Sequence, residues 1–246
     1  MTNNLILITG ASSDIGLALI RRLLSAPNPP TVLAHSFTGG SSILSLRSEF
    51  GDLVQPLQAD FTKSVEVTEL ADLIASQYGV PSRIVHMPAL QVIHERFSKF
   101  PWDQFKRDMD VQVHSAMILL QRFLPQMAKM PGARVVFMLS YVTQGLPPKF
   151  MSYYTIVKYT ELGLMRALAA EYASSSVRIN GISPSTVDTK FLRKVPEVAV
   201  QMAAAASPQR RNATPQDLTG AIEFLLSPDA EYMTGIDIPI TAGSTC

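Results

Sequence analysis

Residues 5–16 read Leu5-Ile6-Leu7-Ile8-Thr9-Gly10-Ala11-Ser12-Ser13-Asp14-Ile15-Gly16. A short apolar, β-prone run ends at Gly10, and over 15–24 apolar residues recur at helical spacing, so the stretch reads as strand, turn and helix. Amides at that helix start, with the helix dipole behind them, make an anion site suited to a pyrophosphate, and the small residues let such a group come close. A glycine-bearing turn alone is a weak signal, and Asp14 stands where a dinucleotide fingerprint often has a third glycine.

The unit repeats along the chain. Further strands are expected at 31–34, 52–57, 83–85, 134–139, 177–182 and 236–240, with helices at 70–78, 102–130, 154–173 and 218–226. Strands alternating with helices imply an α/β fold: a single-domain, Rossmann-type doubly wound parallel sheet of about seven strands with helices on both faces. No linker or internal repeat divides residues 1–246. The stretch 186–215 lacks a strand signal and carries Pro196, Pro208 and Pro215 around an apolar patch. Two readings stand open for it, a helical flap over a substrate site and an ordinary surface crossover.

Composition narrows the function classes. With 246 residues, 47% of them hydrophobic, the chain is a globular protein able to bury a substantial core. Twenty-one Lys and Arg against twenty Asp and Glu leave no basic surplus for nucleic acid. The longest apolar stretches fall short of the roughly 18 residues of a spanning helix, and residues 1–7 lack a basic targeting region. A cytoplasmic protein without membrane partners is therefore expected. The sole cysteine, Cys246, is the last residue, which argues against a disulfide or a Cys/His metal cluster and for a reducing compartment.

Two further features carry chemistry. Tyr154 and Lys158 are four residues apart on an expected helix, hence on one face about one turn apart. A free phenol titrates at about 10 and is a poor acid-base group at neutral pH, but an ammonium held close favours the phenolate by about 1.4 kcal/mol per pKa unit. Ser140 follows the strand at 134–139, among the strand carboxyl ends where an open α/β sheet gathers its crevice, and a hydroxyl there can hold a carbonyl oxygen. Taken singly, each feature is more often plain packing.

Taken together and in order, they resemble the short-chain dehydrogenase/reductase family over essentially the whole chain. The resemblance rests on TGASSDIG at 9–16, Asp60 after the third strand, Ser140, YTIVK at 154–158, RINGISPSTVDT at 178–189 and MTGIDIPITAG at 233–243. Within the family the look is closest to β-ketoacyl carrier-protein reductases of fatty acid or polyketide biosynthesis. The resemblance implies that Tyr154 donates a proton to a substrate carbonyl while a nicotinamide delivers hydride, that Ser140 binds the same oxygen, and that Lys158 lowers the Tyr pKa and holds the nicotinamide ribose. It places Gly10, Ser12, Ser13, Asp14, Ile15 and Gly16 around the pyrophosphate and adenosine ribose, Asp60 and Phe61 at the adenine, and Pro184, Val187 and Thr189 at the carboxamide.

Departures from the family pattern matter equally. Its Asn-Asn-Ala-Gly is His86-Met87-Pro88-Ala89 here, so Met87 and Pro88 meet the cofactor without polar contacts, and its Pro-Gly is Pro184-Ser185. The helix Asn that anchors a proton-relay water aligns with Gln112, which keeps the amide on a longer stem and joins the catalytic set. His86 and His114 stand near enough to compensate, although a lone histidine is more often structural. The second strand ends Ala34-His35-Ser36-Phe37, with no acidic residue for the ribose hydroxyls, which favours NADP(H) over the still possible NAD(H). No Arg supports a 2′-phosphate, leaving His35, Ser36 and Thr38 to meet it.

The expected activity is thus an NADP(H)-dependent reduction of a β-ketoacyl thioester linked to an acyl carrier protein or CoA, with Lys129 a candidate contact for an acidic carrier. The alternatives are a dehydrogenase of a small or steroid-like alcohol and a catalytically silent cofactor-binding subunit. The resemblance also implies a homotetramer or homodimer.

Overall fold

The computed structural model describes residues 4–244; Cys246 and residues 1–3 lie outside them. The chain runs β1 (Leu5–Thr9), α1 (Asp14–Leu24), β2 (Thr31–Ser36), α2 (Ser41–Phe50), β3 (Val54–Gln58), α3 (Ser64–Gln77), β4 (Arg83–His86), α4 (Trp102–Asp108), α5 (Ser115–Met127), β5 (Arg134–Met138), α6 (Ser152–Glu171), β6 (Arg178–Pro184), α7 (Glu197–Ala206), α8 (Pro215–Leu226) and β7 (Asp237–Ile240). The strands form one seven-stranded sheet in the order β3-β2-β1-β4-β5-β6-β7, parallel throughout.

Side-chain alternation explains why β1 is buried at every position and apolar from Leu5 to Ile8. Leu5 and Leu7 enter one core layer with residues of α3, α5 and α6, while Ile6 and Ile8 enter the other with α1, α2 and α8. A strand buried on both faces has no polar side to show. The strand order reverses between β1 and β4, and such a switch point opens a crevice at the strand carboxyl ends.

Three expectations need correction. The helix expected over 102–130 is not uniform: Met109–His114 form a π turn between α4 and α5. Helix α2 is absent from the periodicity reading because only Ile43 and Leu46 of it are buried while Leu44 is exposed, too thin an apolar stripe to register. Strand β3 begins at Val54 because Gly51–Leu53 close a 3-10 turn ahead of it. Within 186–215, Lys190–Lys194 form a 3-10 turn and α7 follows, with no residue of α7 buried. No helix among the described residues is long and apolar enough to cross a membrane.

Candidate active site

A cleft of about 870 Å³ opens at the carboxyl ends of the strands. Its floor is the turn after β1. Gly10 has φ +71°, and a Cβ there would lie 2.9 Å from the Met87 carbonyl oxygen and from Pro88 Cα, so only glycine lets β1 and β4 end side by side. Ser13 caps α1, its Oγ accepting from the Gly16 amide at 3.1 Å. Asp14 and Ile15 line the cleft in the first turn of α1, where backbone amides have no partner within the helix. The Asp14 carboxylate turns away toward the segment before α7, accepting from the Lys190 amide at 2.7 Å and lying 3.5 Å from Lys190 Nζ.

Beside this floor, His35 presents a flat neutral ring. It stacks on Phe61 with centroids 3.9 Å apart and planes 6° from parallel, and Nε2 donates to the Ala59 carbonyl at 3.1 Å. Burial depresses its pKa to about 4. Of the three residues expected to meet a 2′-phosphate, His35 lines the cleft as a neutral ring, whereas Thr38 lies outside the lining and the Ser36 hydroxyl is buried away from it with no partner, which corrects the expectation for Ser36.

At the other end, Ser140 follows β5 and Tyr154 stands on α6; both line the cleft, and the Ser140 hydroxyl lies near enough to the phenol to draw its pKa down. Lys158 Nζ lies 5.9 Å from the Tyr154 ring centre and donates at 2.7 Å both to the Met138 carbonyl and to Glu161. Burial pushes the Tyr154 phenol above its usual value; Lys158 and Ser140 pull it down without cancelling that, and Glu161 and Asp108 push it further up. Lys158 therefore acts on the tyrosine in the expected direction but does not prevail. Burial likewise raises Glu161 to about 7 against the pull of Lys158.

Gln112 does not reach the cleft. The π turn buries it behind the wall, its side-chain nitrogen donating to Asp108 at 2.7 Å and its backbone carbonyl accepting from His86 Nε2 at 2.9 Å. Burial lowers His86 to about 3, so this histidine is a neutral brace between β4 and the turn. Among the nominated residues, Gly16, Ser36, Thr38 and Gln112 fall outside the cleft lining, as do His86 and His114. Gly16 packs instead, since a Cβ there would lie 2.5 Å from the Ala11 carbonyl oxygen. His114 is exposed and paired with Asp110 at 2.8 Å. Lys129 is exposed just beyond α5, ahead of the amino end of β5, whereas the cleft opens at the carboxyl ends of the strands. Sequence reasoning passed over Asp108 and Glu161; the latter was legible as the residue three positions beyond Lys158, on the same helical face.

The family model described as Enoyl-(Acyl carrier protein) reductase matches residues 10–245. The chain is 28% identical to the 3-oxoacyl-acyl-carrier-protein reductase FabG of Thermotoga maritima, covering 96% of both chains. It is 26% identical to a D-beta-hydroxybutyrate dehydrogenase of Rhizobium meliloti, covering 97% of both. Among solved structures, a 3-ketoacyl-(acyl-carrier-protein) reductase from Brucella melitensis complexed with NADH superposes with a TM-score of 0.88 at 21% identity, over 100% of this chain and 99% of that one.

Proposed function

The chain belongs to the classical short-chain dehydrogenase/reductase family of oxidoreductases, and we propose that it is an NADP(H)-dependent reductase of a β-ketoacyl thioester. The observation that carries this reading is the Ser140–Tyr154 hydroxyl pair, facing one cleft with the Lys158 ammonium behind it. Both hydroxyls can meet one carbonyl oxygen, and a phenol held above its usual pKa arrives protonated at neutral pH.

The cleft fits a nicotinamide dinucleotide. Its backbone floor at Gly10 and the first-turn amides of α1 suit a pyrophosphate. Lys158 has three N–H donors and spends two on Met138 and Glu161, leaving the third for a ribose hydroxyl. Val187 and Thr189 would face the carboxamide, and Asp60 and Phe61 the adenine. A bound cofactor supplies the hydride. Ser140 orients the carbonyl oxygen, and Tyr154 gives it a proton as the C=O π pair moves onto oxygen. NADP(H) is favoured by the end of β2, where His35, Ser36 and Phe37 offer no carboxylate to the ribose.

Residues 186–215 act as the substrate flap. Val200, Met202, Ala203 and Ala206 of α7 give the cleft an apolar outer wall suited to an acyl chain. A homotetramer is supported by exposed apolar residues on the helices that would pair: Met117 on α5, Ile156 and Tyr159 on α6, Phe224 on α8. Sedimentation at micromolar concentration as a monomer would refute that assembly. A cytoplasmic setting follows from the proposed substrate.

The test is consumption of NADPH, and separately NADH, with a carrier-linked β-ketoacyl thioester, its CoA counterpart and a small ketone. Preference for NADPH and a thioester is expected. Turnover of the small ketone alone moves the enzyme to the second reading, a small-alcohol dehydrogenase, which the similarity to a hydroxybutyrate dehydrogenase favours. Silence of the folded protein toward every substrate indicates a cofactor-binding subunit.

A further inference from the structure

Lys158 is not the lone cation that a tyrosine–lysine pair implies. Glu161, three residues further along α6, accepts from its ammonium at 2.7 Å, and the two side chains are only 3% and 1% exposed. The other carboxyl oxygen of Glu161, Oε1, is buried with no hydrogen-bond partner. A buried carboxylate with an unpaired oxygen is costly, and only a close opposite charge offsets that cost. The residue thus sits at a stability cost inside the catalytic wall, where its only charged contact among the described residues is Lys158.

We infer that Glu161 is a positioning residue that neutralises Lys158 where it faces Tyr154, and thereby sets this site for carbonyl reduction over alcohol oxidation. The inference rests on the reading of Tyr154 as the proton donor. The groups that act on that phenol come from several elements. Ser140 reaches it from the end of β5, Lys158 and Glu161 from its own helix, and Asp108 from α4, while the phenols of Tyr141, just past β5, and of Tyr153 beside it on α6 also lie within electrostatic reach and are neutral at neutral pH. His86 of β4 lies near Lys158 but is neutral. One ammonium therefore stands against two carboxyl groups in a dry wall, an arrangement that disfavours phenolate.

The direction of reaction follows from proton balance. In reduction, hydride bonds to the carbonyl carbon, the π pair moves to oxygen, and that oxygen takes the Tyr154 proton; the phenolate left behind regains a proton from solvent before the next turnover. Oxidation runs the other way and must begin from phenolate. A site that keeps the phenol protonated is competent for the first at every pH below the phenol's pKa and starved for the second.

The test titrates Tyr154 directly. Ultraviolet phenolate absorbance of cofactor-free protein, with the Tyr154→Phe spectrum subtracted, isolates this one phenol among the tyrosines. Wild type is expected to titrate above the value of about 10 of a free phenol. Glu161→Gln keeps the hydrogen-bond acceptor and removes the charge. Its Tyr154 transition is expected about one unit lower, with the alkaline limb of kcat/KM for reduction moving by the same amount and alcohol oxidation at pH 8 rising about tenfold. Glu161→Asp, which keeps the charge, should track wild type.

Identical titrations and pH profiles for wild type and Glu161→Gln, differing only in thermal stability, would make the pair a structural ion pair and overturn the proposal. If the Gln variant does not fold, the wild-type titration decides by itself: a transition below that of a free phenol overturns it. The absorbance readout needs no turnover, so a failure of the reductase reading is told apart from a failure of this one.

Discussion

On the inner wall of the cleft, Ser140, Tyr154 and Lys158 hang from the end of β5 and from α6; each is buried, and Ser140 and Lys158 are tied by hydrogen bonds. On the outer wall, α7 faces the same space with Val200, Met202 and Ala203, and none of its residues is buried. One wall is over-determined by the strands, helices and buried charges behind it. The other is held to the rest of the cleft by contacts such as Asp14 to Lys190. The difference teaches that the position of the reacting hydroxyls belongs to the fold, whereas the shape offered to the substrate belongs to a separable segment.

The largest effect expected on the inner wall is that of Tyr154→Phe. It removes the proton donor and should lower kcat about a thousandfold, with a melting temperature close to wild type. A loss of less than tenfold in steady-state turnover would detach the chemistry from this wall.

Next comes the floor. Gly10→Ala forces a Cβ to within 2.9 Å of the Met87 and Pro88 backbone at φ +71° and should cost more than 2 kcal/mol in urea unfolding, that being about the upper limit of the left-handed penalty alone. Gly132→Ala, at φ +75° with nothing within 4 Å, supplies the comparison and should cost about 1 kcal/mol.

The two buried histidines sharpen the same contrast through pH. In the unfolded chain an imidazole titrates near its ordinary value of about 6.5, whereas in the native state His35 and His86 are depressed to about 4 and about 3. Below pH 6.5 the unfolded chain therefore binds protons that the native state refuses. Stability present above that pH is lost as pH falls, at up to about 1.4 kcal/mol per unit for each ring until the native value is reached. Glu161, raised to about 7, works in the opposite sense, since its desolvation is relieved as it is protonated on acidification. Urea midpoints at pH 7 and pH 5 for wild type, His35→Asn and His86→Asn separate these trends, and each variant should show a shallower acid loss than wild type.

The smallest effect belongs to the outer wall. Asp14→Ala releases Lys190 and should raise KM for the ketone by no more than about fivefold while leaving kcat unchanged, since the Lys190 amine is exposed and such pairs are worth at most about 1 kcal/mol. A kcat loss as large as that of Tyr154→Phe would erase the distinction between the walls.

The fold was legible because each strand is a short apolar run between turns and helices, a pattern set by burial on both faces. Helix α2 was not, because it buries two residues and its periodicity is faint. The cleft lining was legible wherever backbone geometry or a hydroxyl dictates the residue type, as at Gly10, Ser140 and Tyr154. It was misread at Gln112, because the π turn rotates that side chain into the interior, and a turn defined by one extra backbone residue leaves no mark on hydrophobic spacing. It was incomplete at Glu161, because a charged residue on a helix is ordinarily assigned to solvent.

The most direct measurement is the mass of the alcohol formed from a β-ketoacyl thioester and NADPH deuterated on its transferable nicotinamide hydrogen. The account predicts that the alcohol carries the deuterium and that Tyr154→Phe forms almost none. No deuterated alcohol from folded wild-type protein with this or any other ketone, under either cofactor, would contradict it.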